Sequence, residues 1–259
     1  MKALLSLLPV QLLFLACLYP GLLPTLNAAS PPAPLASPAH AQRVHTAFEQ
    51  ARNRWTSQSN NVEAAWQFGR WAHDWADFST NDHQRAAIAE LGIAACRHAI
   101  TLDPKSAPAH YYLALDLSQL TRTKLLGAFK LIEEMEHVWT TASTLDPHFD
   151  FAGAHRSLGI LYRDAPGWPA SVGSEKKSRF HLQKAVELHP EYPGNRLTLF
   201  EGYLEWGDKK LIRSAAAETD AFLQKARATL TGERWALEWL DWDHRWHEIK
   251  RRANVKDEP

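Results

Sequence analysis

Apolar residues recur every three or four positions through most of the chain after residue 42, and no segment alternates with period two. That spacing puts apolar side chains on one face of a helix, so the chain is predicted to be all-α, without strands. Runs bounded by turn-forming residues place helices near 43–58, 61–78, 82–103, 107–121, 124–145, 152–163, 174–189, 193–206, 208–230 and 232–252. Asn81 followed by Gln84 has capping-box spacing, and Ser106 and Ser174 stand where a side-chain oxygen accepts the first free amides of a helix.

Two helical faces are aromatic. Trp235, Trp239, Trp242, Trp246 and Ile249 step by four and three, as do Phe68, Trp71, Trp75 and Phe78. Such a face can stack on a sugar or take an apolar ligand. Left open to water it exceeds the apolar patch a soluble monomer usually carries, so both stripes are expected to be core. The last helix is then a cap whose outer face must be polar, with Glu238, Asp241, Arg245 and Lys250 as candidates for that face.

The helices repeat. "AITLDP" (99–104), "ASTLDP" (142–147) and "AVELHP" (185–190) set prolines at 104, 147 and 190, 43 residues apart each time. Alanine suits a close helix contact, leucine packs, and proline stops a helix just past its end. Interleaved with these are "AWQFGRWA" (65–72), "HYYLALDL" (110–117), "HRSLGILY" (155–162) and "RLTLFEGY" (196–203). Phe68, Leu113, Leu158 and Leu199 align, followed by Gly69, Ala114, Gly159 and Phe200. Small residues beside large ones let helices approach closely.

From about Val62 to Ala228 this pattern resembles the tetratricopeptide repeat, a helix-turn-helix unit of the form W-x-x-L-G-x-x-Y followed by A, F, A and P. The resemblance implies a right-handed solenoid of about four helix pairs, with extra helices at both ends. The period here is longer than the roughly 34 residues of the consensus. Phe200 stands where a small residue is usual, which predicts looser packing in the last unit.

The stretch "DAPGWPASVGSEKK" (164–177) interrupts the third pair where the consensus has a tight turn. Pro166 and Pro169 push Ala165 and Trp168 away from helical angles, while Gly167 and Gly173 permit tight turning. Insertions of this kind sit on one edge of a solenoid. Trp168 is a rigid apolar knob that either folds back on its own solenoid or contacts a partner. This loop, with the helix ending "HLQKAVELHPEYP", is similar to the TatT-type helical proteins that accompany tripartite ATP-independent periplasmic transporters. That resemblance implies a periplasmic solute-binding protein as partner and an apolar ligand.

Residues 1–28 read as a signal peptide: Lys2, then an almost wholly apolar run from Ala3 to Leu26, interrupted by Pro9, Pro20 and Pro24. A retained membrane anchor is the alternative, and would be the only membrane contact. Residues 29–42 read as a Pro/Ala-rich tether and 43–259 as the helical domain. Removal of the leader leaves Cys96 as the one cysteine, unable to form an internal disulfide and expected to be a buried small hydrophobe. Lys and Arg together number 29, as do Asp and Glu, so overall charge does not point to nucleic acid.

No motif carries catalysis. There is no G-x-S-x-G, no Gly-rich phosphate loop and no H-E-x-x-H. His244 and His247 lie three apart with no third ligand in view, so no metal, no cofactor and no enzyme activity are expected. What remains is the concave face, lined in such repeats by the first helix of each pair. There the sequence places Trp66, Arg70 and His73, then Tyr111, Leu115 and Gln119, then Arg156 and Arg163, and finally Glu201 and Glu205. Aromatic and basic groups come early and acidic groups late, which suits an extended peptide or protein segment. The expected function is therefore an exported scaffold that binds a protein through this face and the Trp168 loop.

Overall fold

A computed structural model describes residues 37–124 and 127–254. The helices in chain order are α1 (Pro38–Ser57), α2 (Val62–Ala76), α3 (Asp82–Leu102), α4 (Ala107–Thr121) and α5 (Ala128–Leu145), then α6 (Phe149–Asp164), α7 (Glu175–Leu188), α8 (Pro193–Glu205), α9 (Lys209–Thr229) and α10 (Glu233–Ala253). Each packs on its neighbour in sequence, giving a helical solenoid with no strand among the described residues. The apolar leader lies outside the described residues.

The caps follow the expected chemistry. Asn81 Oδ1 accepts from the Gln84 amide at 2.9 Å, and Ser106 and Ser174 Oγ accept from Ala109 and Lys177 at 3.4 and 3.3 Å. Gln84 reaches back to the Thr80 amide rather than to Asn81. Two helix starts differ from expectation by more than three residues. Helix α1 starts inside the expected tether, because Ser37 caps it and Pro38 suits a first helical position. Helix α5 starts at Ala128, after Gly127 with φ +83°.

The repeated hexamers do the same job three times. Ala99, Ala142 and Ala185 are buried, and their carbonyls accept the amides of Asp103, Asp146 and His189 at 2.9–3.1 Å as each helix ends before its proline. The small residues of the interleaved set mark close approaches: a Cβ on Gly159 would stand 2.3 Å from Leu182, and one on Gly69 would stand 2.2 Å from Cys96 Sγ. Phe200 does not loosen the last unit. It is 1% exposed and stands edge-on to Trp246, because α10 supplies the large partner that this position needs.

Both aromatic stripes face inward, although Trp71, Trp75, Phe78 and Trp235 are only half-buried. Phe68 lies under Phe48 and Trp55 of α1, and Trp75 lies tilted against His45 at 4.6 Å between ring centres. Trp239, Trp242, Trp246 and Ile249 are buried against α8 and α9. The outer polar face of the cap is not the expected one. Asp243, His244, His247 and Arg251 are exposed, whereas Arg245 turns inward to Glu201 at 2.8 Å and Thr198 at 2.8 Å.

One buried acid lies between the first helices. Asp116 of α4 is fully buried in a cleft that glycine opens, since a Cβ on Gly92 would meet its carboxyl at 2.3 Å. Burial, reinforced by Asp74, pushes the Asp116 carboxyl well above the ordinary carboxylate range.

Candidate binding site on the concave face

The even-numbered helices line the inner surface, and α10 closes back toward α2 around a cavity of about 520 Å³. Its floor is a turn of left-handed backbone at the start of α6. Asp150, Phe151 and Ala152 have φ of 52°, 54° and 60°. For residues with a Cβ this costs on the order of 1–2 kcal/mol each, so the surroundings must hold it. Arg156 does so by donating to Asp150 Oδ2 at 2.9 Å, to the Phe151 carbonyl at 3.2 Å and to Asn195 Oδ1 at 2.9 Å. Asn195 adds its own donation to the Phe151 carbonyl at 3.0 Å. Tyr111 donates to the same Asp150 oxygen at 2.7 Å, and a Cβ on Gly153 would collide with that hydroxyl. Burial and Asp150 together raise the Tyr111 phenol far above its ordinary value, so it stays protonated and donating.

The turn throws its two phenylalanines to opposite walls. Phe149 meets Trp66, Tyr111 and Tyr112 edge-on, and Trp66 stacks on Tyr112 within 3° of parallel. Phe151 stacks on Tyr192 at 4.5 Å, with Trp235 of α10 completing that wall. At the mouth, His148 Nδ1 and His189 Nε2 lie 3.3 Å apart. Arg70 and Arg234 line the cavity without an ion pair among the described residues, resting beside the rings of Trp71 and Trp235. Burial holds the Glu238 carboxyl above its ordinary value although Arg234 and Arg70 pull it down. The cavity thus offers two flat aromatic walls and two open guanidinium groups, a setting for an apolar or aromatic group joined to an anion.

Of the residues expected on this face, Trp66 and Arg70 line the cavity, while Tyr111 and Arg156 support it from behind. The others lie elsewhere. Gln119 is buried and ties α4 to α2 through the His73 carbonyl and Asp77, while His73 meets the Leu115 carbonyl. Arg163 and Glu201 belong to an internal ladder, in which Arg163 pairs with Asp164 and Glu201, and Glu201 with Arg245; Glu205 is exposed and pairs with Arg252 at the surface. Burial alone would raise the Glu201 carboxyl, but Arg245 and Arg163 bring it below its ordinary value. The expected gradient from basic to acidic is therefore neutralised within the fold. Trp168 stands apart from the cavity, on the edge of the solenoid.

Sequence reasoning missed Phe149, Asp150, Phe151 and Tyr192, and treated Trp235 only as core. The available signal was position. "HFDF" follows Pro147 and "EYP" follows Pro190, so aromatic residues recur directly after the repeat prolines. No group of three or more potential metal ligands occurs among the described residues.

The family model described as regulator of microtubule dynamics protein 1-3 matches residues 37–152, from α1 to the left-handed turn. No curated protein matches the chain.

Proposed function

We propose that this protein is a non-catalytic scaffold that captures a segment of a partner protein in the concave cavity. The observation that carries this reading is the pair of facing aromatic walls with Arg70 and Arg234 beside them, neither in an ion pair among the described residues. A segment bearing an aromatic or long apolar side chain next to a carboxylate fits that chemistry. The matched family is described as regulators of microtubule dynamics, and regulation through binding is what we carry over to this chain. The apolar start supports export with removal of residues up to about 28. N-terminal sequencing that found Met1 on the mature protein would sink that part.

The binding reading is tested by selecting displayed peptides on the immobilised protein. Acidic peptides with an aromatic anchor should be enriched, and their binding should fall by about tenfold or more in Arg70→Glu and in Trp235→Ala. Selected peptides that bind both variants as tightly as the parent overturn it. The transporter-associated alternative rests on the loop at 164–177 and predicts a periplasmic solute-binding protein in pull-downs, with an apolar ligand in the same cavity.

A further inference from the structure

Equal totals of charge conceal an uneven distribution along the two edges of the solenoid. One edge is traced by contacts between successive units. His40 at the start of α1 meets Phe78 in the α2–α3 turn, Asp77 of that turn pairs with Arg122 after α4, Glu136 of α5 pairs with Lys177, and Arg179 of α7 pairs with Asp208 before α9. Along this edge stand Trp168 at 89% exposure, Phe180 at 60%, Phe129 at 45% and Leu211 at 39%. The other exposed large apolar residues are four leucines, Leu91, Leu102, Leu145 and Leu240, each 37–39% exposed. The same edge carries Lys124, Lys130, Lys176, Lys209, Lys210 and Arg213, all exposed and none in an ion pair among the described residues. Its acids are mostly taken: Asp77 by Arg122, and Glu175 and Asp208 by Arg179, leaving Asp82 and Glu133 open. The opposite edge has Asp103, Lys105, Asp146 and Glu191 at its turns, three acids to one lysine.

The Trp168 loop is built to hold its tip outward. Gly167 and Gly173 bridge its base, the Gly173 amide donates to Pro166 at 2.8 Å, and the Ser174 amide donates to Tyr162 at 2.9 Å. A Cβ on Gly173 would stand 2.0 Å from the Ala165 carbonyl, so this closure requires glycine. An indole held outward on an edge that also carries lysines without ion pairs among the described residues matches the headgroup region of an anionic bilayer. There the ring sits at the interface and each nearby lysine adds attraction to the acidic headgroups.

We propose that this edge lies on an anionic lipid surface, with Trp168 and Phe180 seated at the headgroup level and the lysines of α7 and α9 against acidic headgroups. Position in the chain agrees. The start of α1 belongs to this same edge through His40 and Phe78, and the apolar run 3–26 ends only ten residues before Ser37. Export with cleavage would remove that run; where it is instead retained as an anchor, ten extended residues reach about 35 Å at most and would keep the start of α1, on this edge, near the bilayer. The proposal does not depend on how the concave cavity is used.

The test uses the full chain with Cys17→Ser, leaving buried Cys96 unlabelled, and one environment-sensitive fluorophore at Trp168→Cys or, on the opposite edge, at Lys105→Cys. The probe is vesicles of phosphatidylcholine with about 30% phosphatidylserine, with and without nitroxide-bearing lipid, against phosphatidylcholine alone. The label at 168 should shift to the blue and be quenched by the nitroxide lipid, while the label at 105 should do neither. Reversing Lys176, Lys209 and Lys210 to Glu should cut the quenching at 168 by about tenfold or more. Site-specific quenching decides the matter even if the N-terminal segment alone holds the chain on the vesicle. An aqueous spectrum at 168 on anionic vesicles, or equal quenching at both sites, overturns the proposal. So does protection of 168 only by an added protein, which would make the edge a protein interface.

Discussion

The guanidinium of Arg156 lies 2.9 Å from the carboxylate of Asp150, and the same side chain grips the carbonyl of Phe151 one residue on. A charge pair and a backbone clamp are thus combined on three residues of left-handed backbone. Arg156→Ala removes the charge partner of a partly buried carboxylate, leaving it only the Tyr111 hydroxyl and leaving the Phe151 carbonyl only Asn195, and should cost about 3 kcal/mol in urea unfolding. Arg156→Lys should recover only part of that loss, since one ammonium cannot serve acceptors spread across the turn. A loss below about 1 kcal/mol for Arg156→Ala would mean that the turn stands without its clamp.

Asp116 makes stability depend on pH in one direction. Its folded pKa is raised by burial, so the folded protein holds a proton that the unfolded chain releases above about pH 4. This contribution is fully present at low pH and is lost as pH rises toward the folded pKa. Asp116→Asn should match the parent near pH 4 and exceed it by more than about 1 kcal/mol at pH 8. A constant difference between the two proteins across that range would show that the acid is not protonated in the fold.

His181 acts in the opposite sense. Its ring meets His155 with Nδ1 atoms 2.9 Å apart, and burial, then His155 and Lys177, lower its pKa to about 4. A folded pKa below the unfolded one means stability present above about pH 6.5 and lost as pH falls toward 4. With allowance for solvent screening the loss should be about 1–2 kcal/mol. His181→Gln should flatten this part of the profile, checked by urea melts at pH 7 and pH 4.5; an unchanged slope would assign the loss to other groups.

Trp239 is 7% exposed and donates to the Leu230 carbonyl at 2.7 Å, closing the α9–α10 turn onto the core. Trp239→Ala should cost roughly 3–5 kcal/mol in thermal or chemical unfolding. Removing residues 231–259 should uncover Leu197, Phe200 and Leu223 and cause aggregation, measured by light scattering. A soluble, fully helical truncation would show that α10 is not a cap.

The helices, most of their ends and the buried stripes were legible in the order of residues, because helical periodicity, caps and proline stops are local. Asn81, Ser106 and Ser174 cap where their chemistry says, and Ala99, Ala142 and Ala185 are buried as their recurrence implied. The cavity was legible only in part. Trp66 and Arg70 follow from the face of one helix, but Phe149, Phe151, Tyr192 and Trp235 come together from a turn, a loop and the cap. Their meeting depends on how far the solenoid curls and on a left-handed turn that clamping groups from three helices make tolerable. Local propensity disfavours that turn, so no local rule could have placed it. The ion-pair ladder has the same origin. Charge order along the chain suggested a gradient, but Arg163, Glu201 and Arg245 neutralise one another because three separate helices bring them within reach. Which way Trp168 points was likewise a tertiary matter: two prolines and two glycines shape the loop, but only its closure against Tyr162 and Pro166 leaves the indole in the open.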